Sequence, residues 1–265
     1  MKISCIIPTC DRPKFLVETI NSVLIQTRMP LEIIIVNNGI EKISLPQELK
    51  EKVLVYDIVP YAGASQARNF GASVAEGDYL AFLDDDDLWS KDYLKNVTKV
   101  LGEAQCVISR LDKTFKEKIA LFKNAHNKLT IDNLIFYNPG VTGSNIVISR
   151  GLFFKVGGYD VKLVTSEDKS LIIEILKKGE KIITLPNNQA IRRTHDEVQL
   201  SDPKTIVEGV TQFTKKYKKL MNKKIYLFNL LKICREKIKM GKKIFIFKYL
   251  FLKIIYIFLK LFSKK

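Results

Sequence analysis

The sequence has few cysteines, and none of them is spaced for metal binding or a disulfide framework. Cys5, Cys10, Cys106 and Cys234 include no C-x-x-C pair, so neither a zinc site nor a set of structural disulfides is predicted. Cys5 and Cys106 lie in apolar, strand-like segments and are expected to be small buried core residues. This cysteine usage fits a reducing compartment, and we expect a cytoplasmic location.

Long apolar runs are also missing. The longest uninterrupted run near the C-terminus, Ile254–Leu259, is far shorter than the ~20 residues that a membrane-spanning helix needs. The N-terminus passes directly into a strand-like segment, Ile3–Pro8, without the hydrophobic region of a secretory signal peptide. The sequence therefore predicts neither a transmembrane span nor a signal peptide.

Acidic residues are nearly absent from the C-terminal segment. Residues 211–265 hold 17 of the 44 lysines and arginines but one of the 28 acidic residues, Glu236, whereas residues 1–210 are balanced in charge. This segment accounts for the whole net charge of +16, which favours an anionic partner. We therefore expect one domain at 1–210 and a basic amphipathic helical tail at 211–265.

The tail resembles a helix that lies on a membrane surface. At about 100° per residue, four lysines fall within about 40° of one another: Lys242, Lys253, Lys260 and Lys264. A narrow lysine stripe on a large apolar face is typical of interfacial helices on anionic lipid, so we expect residues 225–265 to bind the inner face of the cell membrane. Nucleic acid fits less well, because most of the tail is aliphatic and aromatic. A homo-oligomer through the tail, or packing within the chain, stays open.

Apolar strand-like segments alternate with helical ones in the first part of the chain. Strands are predicted at Ile3–Pro8, Leu31–Val36, Val53–Val59 and Tyr79–Leu83, and a helix at Gly63–Ala75. Such alternation predicts an α/β fold with a mostly parallel, Rossmann-like sheet flanked by helices. The basic tail would add a C-terminal helical extension to this sheet.

Further elements are predicted in the second half of the domain. Residues 111–140 show no clear pattern and are expected to be irregular, and a helix is expected to open at Ser166-Glu167-Asp168. The remaining predictions are a helix at Lys91–Leu101, strands at Gln105–Arg110, Ser144–Ser149 and Lys181–Pro186, and a helix at Thr205–Met221.

Three polar clusters follow predicted strands, at Thr9–Arg12, Asn37–Gly39 and Asp84–Asp87. In parallel sheets ligands bind at the carboxyl ends of strands, so we expect the three clusters to share one site. Unpaired buried carboxylates are costly. The strand should therefore end at Leu83 and deliver all four acids to an accessible rim. A hard divalent cation could neutralise them there; a solvated acidic turn is the alternative.

Seven short motifs occur in order along the domain. Ile7–Arg12 reads I-P-T-C-D-R, Gln66–Gly71 reads Q-A-R-N-F-G, and Phe82–Trp89 reads F-L-D-D-D-D-L-W. The later four are Gly143-Ser144-Asn145, Gly157-Gly158-Tyr159-Asp160, Glu167-Asp168 and Arg193-Thr194-His195. Over about residues 3–205 they resemble the I-P-T-x-N-R, A-R-N-x-G, F-L-D-x-D-D-x-W, G-S, G-G-[FY]-D, E-D and R-x-H motifs of glycosyltransferase family 2. Members of this family are inverting nucleotide-sugar transferases of GT-A fold.

The resemblance implies a role for several residues. Asp168 would be the general base that deprotonates the acceptor hydroxyl, and Asp86 would contact a divalent cation, Mg²⁺ or Mn²⁺. The nucleotide-sugar contacts would be Thr9 and Asn38 at the nucleobase, Arg68 near the nucleotide, Asp84 and Asp85 at the ribose and diphosphate, and Arg193 and His195 at the diphosphate or metal.

Other interpretations of these residues stay open on the sequence alone. Glu167 and Asp168 also suit a helix N-terminus, where acids interact favourably with the helix dipole. Arg68 could simply pair with a nearby acid, and His195 could be an ordinary surface residue. Trp89 is expected to pack in the core.

One stretch departs from the family pattern. The family usually has at least one Asp after the second strand, as in V-D-D-G-S, whereas this chain has Val36-Asn37-Asn38-Gly39-Ile40. An Asn carbonyl can accept a hydrogen bond from the uracil imide without charge, so a uridine donor remains the expectation. The same departure leaves open a nucleotide-sugar-binding module that has lost catalysis.

The expected activity is a metal-dependent, inverting glycosyltransferase. It would move a sugar from a nucleoside-diphosphate sugar, with a UDP-sugar favoured, to a glycan or lipid-linked acceptor in cell-surface polysaccharide or lipooligosaccharide biosynthesis. A nucleotidyltransferase shares the parallel sheet and the carboxylate-held metal. It would need a glycine-rich phosphate loop after the first strand, and Thr9–Pro13 contains no glycine.

Overall fold

The computed structural model describes residues 1–115, 118–121, 129–194 and 202–262. These residues form a nine-stranded sheet with helices on both faces. The strands are β1 (Ile3–Thr9), β2 (Glu32–Asn37), β3 (Leu54–Asp57), β4 (Tyr79–Phe82), β5 (Asp87–Trp89), β6 (Cys106–Phe115), β7 (Lys118–Leu121), β8 (Ile146–Ser149) and β9 (Ile182–Arg192). The helices are α1 (Pro13–Leu24), α2 (Gln47–Lys50), α3 (Ala64–Val74), α4 (Tyr93–Thr98), α5 (Ile131–Phe136), α6 (Arg150–Lys155), α7 (Glu167–Lys177), α8 (Pro203–Tyr217), α9 (Lys223–Lys239) and α10 (Phe245–Phe262).

The first four strands along the sheet are all parallel. β1 lies between β2 and β4, and β3 forms the edge beyond β2. Every residue of β1 is buried, as expected for a parallel strand covered on both faces. The carboxyl ends of β1, β2 and β4 therefore meet at one edge of the sheet.

The second half of the sheet is mixed. β8 pairs antiparallel with both β4 and β6, whereas β6 runs parallel to β9. β5 directly follows the acidic run and pairs antiparallel with the end of β9, so that Asp87 lies opposite Arg192. This pairing ties the acidic run to the far half of the sheet.

Side chains on the two faces of β1 belong to separate cores. Ile6 packs in a core that includes residues of α3, α6 and α7, whereas Cys5 and Ile7 pack in a second core with α1 and α4. α1 begins with Pro13. Proline lacks a backbone N–H, but the first N–H of a helix would have no helical acceptor in any case. Leu16 of α1 is buried against the sheet. The two cores fix the strand register and thereby place the polar residues that follow the strands.

α3 approaches the sheet closely through small residues. Ala67, Gly71 and Ala72 are buried, and a Cβ atom on Gly71 would lie 2.5 Å from the Ile6 side chain. Glycine is therefore required for this close approach. As a result the first turns of α3, which carry Arg68, lie at the polar edge of the sheet.

The C-terminal helices continue from the sheet domain. The Asp202 carboxylate caps α8 by accepting hydrogen bonds from the backbone N–H groups of its first turn. α8 packs on α7, where the Tyr217 and Ser170 hydroxyls lie 2.7 Å apart. The predicted boundary between a domain at 1–210 and a tail at 211–265 falls inside α8 and stays a prediction.

The last two helices pack against each other. α9 contacts α8 and α5, and α10 packs on α9 through a small cluster that includes Leu231, Cys234 and Leu252. Within the described ranges, no helix has both the length and the apolar content that crossing a membrane requires.

The structure corrects two sequence-based predictions about the fold. Residues 111–140 are not irregular throughout: β6 extends to Phe115, β7 pairs with it, and α5 begins after a Thr130 cap. Likewise β9 continues beyond the predicted end at Pro186 to Arg192 because it pairs with β6 and β5. These extensions depend on pairing between distant strands, which local sequence patterns do not report. The predicted burial of Cys5 and Cys106 is confirmed.

Candidate active site

The predicted site residues at three strand ends lie together at the carboxyl edge of the sheet. Thr9 ends β1, Asn38 follows β2, and Asp84–Asp87 follow β4. The Thr9 hydroxyl donates a hydrogen bond to the Asp85 carboxylate at 2.6 Å, and the Asn38 amide donates to the Thr9 carbonyl at 2.9 Å. The expectation that the three clusters share one edge is confirmed.

Two of the four adjacent acids are buried. Asp85 and Asp87 are 0% and 3% exposed, whereas Asp84 and Asp86 are partly exposed. The expectation that all four would lie at an accessible rim is therefore wrong. It assumed that the carboxylates would lack partners, and the fold supplies them.

Asp85 is held by Thr9 and Arg12. The Arg12 guanidinium places Nη2 at 2.6 Å from Asp85 and Nη1 at 2.7 Å from Asp86. Burial raises the pKa of Asp85 to about 6, although Arg12 and Thr9 act in the opposite direction. A carboxylate that would be costly to bury alone is thus paired with a cation.

Asp87 begins β5 and accepts hydrogen bonds from two sides. The Ser144 hydroxyl donates to its carboxylate at 2.5 Å, and the backbone N–H of Arg193 donates at 3.1 Å. Burial raises the pKa of Asp87 well above its usual value, and the neighbouring Asp86 and Asp84 add to this shift. Asp87 therefore connects the acidic run to residues just before β8 and just after β9.

Three carboxylates of the run could hold a metal ion. One oxygen each of Asp84, Asp86 and Asp87 lies within 4.8 Å of the others. Carboxylate oxygens are the ligands that Mg²⁺ and Mn²⁺ prefer, and Asp84 and Asp86 are reached by solvent. The donor set fits a hard divalent cation. Asp86, the predicted metal contact, belongs to it, and its binding of a metal stays a prediction.

Arg68 links the acidic run to α7. Its buried guanidinium lies 2.5 Å from Asp84, 3.1 Å from Glu167 and 3.9 Å from Asp168, and 5.0 Å above the Tyr159 ring. Burial alone would lower the pKa of Arg68, but the surrounding carboxylates raise it well above its usual value. Arg68 therefore stays charged and gathers acids from two distant segments around one cation. Its predicted contact with a nucleotide stays a prediction.

Asp168 lies in the first turn of α7, beside the same guanidinium. Burial raises the pKa of Asp168 well above its usual value and Glu167 adds to this, while Arg68 and a hydrogen bond from the Gly143 backbone oppose it. A Cβ atom on Gly143 would lie 2.4 Å from an Arg68 nitrogen. The close packing of residue 143 on the Arg68 guanidinium therefore requires glycine. A carboxyl group with a perturbed pKa at the edge of a polar site suits a general base.

The two asparagines after β2 already have partners within the fold. The Asn38 oxygen accepts from the backbone N–H of Gly63 at 3.3 Å, so this side chain joins the end of β1 to the start of α3. The Asn37 amide donates to Asp57 at 2.9 Å. An amide oxygen has two lone pairs, so Asn38 can accept a second hydrogen bond. The predicted contacts of Thr9 and Asn38 with a nucleobase stay predictions.

Arg193 makes its contacts within the fold. Its guanidinium donates to the Asp86 carbonyl at 2.5 Å and to the Thr19 hydroxyl at 3.0 Å, and it forms an ion pair with Glu18. These contacts hold the end of β9 against α1. The structure therefore gives Arg193 a positioning role, and its predicted approach to a diphosphate or metal stays a prediction.

Trp89 packs inside the domain, as predicted. Its ring stacks on Tyr93 with centroids 4.4 Å apart, and its indole N–H donates to the Ser144 carbonyl at 2.8 Å. By contrast, the predicted site residue His195 lies outside the described residues.

Arg12 and Ser144 were not predicted from the sequence to be partners of the acidic run. Both lie inside motifs that the sequence displays, but a motif does not state which side chains touch. The available signal was the acidic run itself, because four adjacent carboxylates require cations and hydrogen-bond donors nearby. Arg12 is the basic residue that follows the first strand, at the same edge of the sheet.

The motif resemblance is confirmed by comparison with protein families. A model described as glycosyl transferase family 2 matches residues 4–157, which is more than half of the chain. The chain belongs to glycosyl transferase family 2.

Similar sequences carry glycosyltransferase names. An uncharacterized glycosyltransferase of Rickettsia conorii is 36% identical over 190 residues, which cover 67% of this chain and 30% of that protein. TuaG of Bacillus subtilis, provisionally named a teichuronic acid biosynthesis glycosyltransferase, is 28% identical over 186 residues, which cover 67% of this chain and 73% of TuaG. The aligned segment of this chain thus spans less than a third of the length of the Rickettsia relative.

Solved structures share the fold. S. aureus TarS 1–349 in complex with UDP-GlcNAc has a TM-score of 0.63 at 17% identity, covering 88% of this chain and 72% of that one. GalNAc-T7 with UDP, GalNAc and Mn²⁺ has a TM-score of 0.62 at 19% identity, covering 74% of this chain and 44% of that one. At these identities the likeness shows the fold alone. It confirms the predicted GT-A class of α/β fold.

Proposed function

We propose that the chain is a metal-dependent glycosyltransferase that moves a sugar from a nucleoside-diphosphate sugar with inversion at the anomeric carbon. The observation that carries this proposal is the arrangement around Arg68. One buried guanidinium joins Asp84, a member of the candidate metal-ligand set, to Asp168 of α7. A cation-binding group and a carboxyl base thus lie in one site, as transfer between two substrates requires.

The acidic run would bind the diphosphate side of the donor. Asp84, Asp86 and Asp87 would ligate Mg²⁺ or Mn²⁺, with Asp86 as the main contact. When bound, such a cation stabilises the negative charge that develops on a diphosphate leaving group. Asp84 and Asp85 would border the ribose and diphosphate.

Asp168 would act as the general base. It takes the proton of the acceptor hydroxyl while that oxygen forms a bond to the anomeric carbon. The bond from this carbon to the phosphate oxygen breaks, and its electron pair leaves on the diphosphate. Attack from the side opposite the leaving group inverts the anomeric centre. Arg68 favours the ionised form of Asp168 that this step needs.

A UDP-sugar is the favoured donor. The TarS and GalNAc-T7 structures contain UDP-GlcNAc or UDP, and Thr9 and Asn38 would border the base. The name of TuaG supports an acceptor in cell-surface polysaccharide synthesis, either a glycan or a lipid-linked molecule. We place the reaction at the inner face of the cell membrane, with residues 225–265 as the binding segment.

A donor screen tests this proposal. UDP-, GDP- and dTDP-sugars are incubated with the protein and Mn²⁺, and release of the nucleoside diphosphate is measured with and without acceptor glycans. We expect cation-dependent release from at least one donor, which Asp86→Asn abolishes and the exposed control Asp132→Asn retains. Tight donor binding without release from any donor would instead indicate a binding module that has lost catalysis.

A further inference from the structure

α10 packs on α9 through only part of the large apolar surface that the sequence predicts, and another part of that surface is exposed. At about 100° per residue, the side chains packed on α9 fall in an arc of about 60°; they are Phe245, Tyr249, Leu252 and Tyr256. Eight other large apolar side chains of α10 are exposed and fall in a different arc of about 140°. They are Ile246, Phe247, Leu250, Phe251, Ile254, Ile257, Phe258 and Leu261.

Lysines lie at both edges of the exposed arc, and on the side of Lys248 the half-buried Ile255 and Leu259 lie beside it. In the same projection Lys253 and Lys260 lie between the two apolar arcs on one side, and Lys248 lies between them on the other. No acidic residue follows Glu236 in the sequence. An apolar face with lysines at its edges can enter a lipid surface while the ammonium groups reach the phosphates.

We propose that the exposed face of α10 binds the surface of an anionic lipid bilayer, and that α9 connects it to the catalytic domain. This deepens the proposed function, on which it rests, by assigning the membrane contact to one face of one helix. Charge complementarity selects lipid over a second copy of the chain. Two copies joined through this face would bring their lysine-bearing edges together without any acidic residue to offset the repulsion.

Contacts between helices connect α10 to α7, the helix that carries the proposed base Asp168. Phe228 of α9 contacts Phe136 of α5 with ring centroids 4.5 Å apart. α9 also packs on α8, whose Tyr217 contacts Ser170 of α7. α7 carries Asp168, the proposed base. The exposed α10 face is thus connected through packed helices to the element that would receive the acceptor, which favours an acceptor carried by the membrane.

Vesicle binding tests this surface in the full chain. The variant Phe247→Ser, Phe251→Ser changes two exposed side chains of α10 that lie outside its cluster with α9. The matched control Ile25→Ser, Met29→Ser removes two exposed apolar side chains elsewhere. We expect the unaltered chain and the control to bind phosphatidylcholine vesicles that contain phosphatidylglycerol, and the phenylalanine variant to bind at least about 100-fold more weakly.

Replacing the edge lysines tests the charge contribution. Lys248→Gln, Lys253→Gln and Lys260→Gln together should weaken binding about 100-fold at low salt, because each lysine near an anionic surface contributes roughly fivefold. Failure of the unaltered chain to bind these vesicles, or unchanged binding of the phenylalanine variant, would overturn the proposal. A lipid-free dimer that the phenylalanine variant dissociates would assign the face to a second copy. Donor cleavage without lipid is measured separately, so either failure can be recognised alone.

A separate observation concerns Arg12, which shares a carboxylate with the candidate metal site. Arg12 Nη1 lies 2.7 Å from Asp86, and Nη2 lies 2.6 Å from Asp85. Asp86 also belongs to the three carboxylates that fit a divalent cation. A guanidinium and a metal ion at one carboxylate repel each other, so the two cations compete for Asp86.

Arg12 is placed to exchange partners, whereas Arg68 is not. The Arg12 side chain is 25% exposed, and that of Arg68 is 3% exposed. Arg12 also stands just before α1, and its side chain makes no capping hydrogen bond to that helix. Of Arg12 and Arg68, Arg12 therefore has the side chain that solvent and a ligand can reach.

We infer that Arg12 is the resident counter-cation of the acidic run. It holds Asp85 and Asp86 when no divalent cation is bound, and it yields Asp86 to the cation. Its guanidinium then becomes available to pair with the donor diphosphate, a bidentate partner that suits arginine. The inference rests on the metal site of the proposed function.

Mn²⁺ binding without any nucleotide tests this exchange. We expect Arg12→Gln to bind Mn²⁺ about tenfold more tightly than the unaltered chain in calorimetry, because a competing charge is removed. At saturating Mn²⁺ the same variant should bind UDP about tenfold more weakly, since a charged contact with the diphosphate is lost. Lys14→Gln removes the same charge from an exposed position of α1 and should change neither affinity.

The outcomes separate this inference from the proposed function. Equal Mn²⁺ affinity in Arg12→Gln and the unaltered chain would overturn the exchange and leave the metal site intact. Absence of Mn²⁺ binding in every variant would overturn the metal site itself. If Arg12→Gln fails to fold, Arg12→Lys supplies the test. Its ammonium cannot bridge two carboxylates as a guanidinium does, and both affinities should shift in the same directions by smaller factors.

Discussion

The acidic edge of the sheet and the α9–α10 pair differ in the burial and pairing of their charged side chains. At the sheet edge Asp85 and Asp87 are buried, and each is held by a cation or hydrogen-bond donors. On α10 the lysines have no acid in their own helix, and large apolar side chains lie in solvent. One region encloses paired charges, and the other exposes basic and apolar groups side by side.

This difference in burial and pairing indicates that the two regions recognise different kinds of partner. Buried, paired charges hold a fixed geometry, since removing one partner leaves an uncompensated charge in the interior. Such an arrangement suits chemistry on a small ligand. An exposed apolar face with lysines at its edges fixes no single partner geometry, and it suits an extended and fluid surface.

Asp168→Asn should produce the largest change at the sheet edge. Loss of the general base is expected to lower the transfer rate by roughly 10²–10⁴-fold, with little change in the melting temperature because the side chain keeps its shape. Turnover of the best donor and acceptor pair measures the effect. The exposed residue Glu208 supplies the control, as Glu208→Gln should leave turnover unchanged. Near-normal turnover in Asp168→Asn would remove the assigned role.

Arg68→Met should destabilise the fold strongly. It leaves Asp84, Glu167 and Asp168 without their shared cation, and breaking a buried ion pair typically costs about 3–5 kcal/mol. The surface pair of Lys155 and Glu180 offers the comparison, since an exposed pair contributes about 0–1 kcal/mol. Urea denaturation of Arg68→Met and Lys155→Met measures both. Equal, small losses would contradict the enclosed geometry of the site.

Two neighbouring leucines test the division of α10 into faces. Leu252 packs on α9 and is 8% exposed, whereas Leu250 is 50% exposed. Leu252→Ala should cost about 2 kcal/mol because it leaves a cavity, and Leu250→Ala should cost less than about 0.5 kcal/mol. Hydrogen exchange of the α10 amides reports the loss. Equal loss of protection in the two variants would show that the faces are wrongly assigned.

Lys169 lies between the two regions and makes stability depend on pH. It is buried beside Phe213, with its ammonium 4.2 Å from the ring centroid. Burial lowers the pKa of Lys169 to about 7; Lys232 of α9 adds to this and Asp168 opposes it. The folded state binds fewer protons than the unfolded state above pH 7. The free-energy cost of burying the charged Lys169 ammonium is therefore complete below about pH 7 and decreases as pH rises.

The matching variant is Lys169→Met. Between pH 7 and pH 9 the unaltered chain should gain about 2 kcal/mol of stability relative to this variant. Denaturant unfolding across this range checks the difference. A constant difference between the two proteins would show that Lys169 does not change protonation on folding in this range.

The sequence predicts the parallel half of the sheet well. The strands β1, β2 and β4 are buried on both faces and therefore appear as continuous apolar runs whose ends are visible. The second half of β6, all of β7 and the last residues of β9 were missed. These segments are strands because of their partners, and the bulge between Ser109 and Arg110 shifts the register of β6 and β9. Local periodicity carries little information about such pairing.

The sequence brought several candidate residues to one edge of the sheet but did not predict the contacts between their side chains. Strand ends and motifs were sufficient to bring Thr9, Asn38 and Asp84–Asp87 to one edge. They did not reveal that Arg12 forms an ion pair with Asp85, that Ser144 donates a hydrogen bond to Asp87, or that Arg193 contacts α1. Those contacts depend on side-chain directions between segments far apart in the sequence. The cost of an unpaired buried charge indicates that a partner exists but does not identify it.

The proposed activity of the acidic edge around Arg68 is sugar transfer with inversion at the anomeric carbon. Proton NMR of a reaction mixture tests it most directly, because one spectrum follows both the anomeric proton of an α-linked UDP-sugar and that of the product. We expect the donor signal to decay only with Mg²⁺ or Mn²⁺ present, a β-linked product to appear, and Asp168→Asn to show neither change. An α-linked product, or turnover that persists in Asp168→Asn, would contradict the proposed activity.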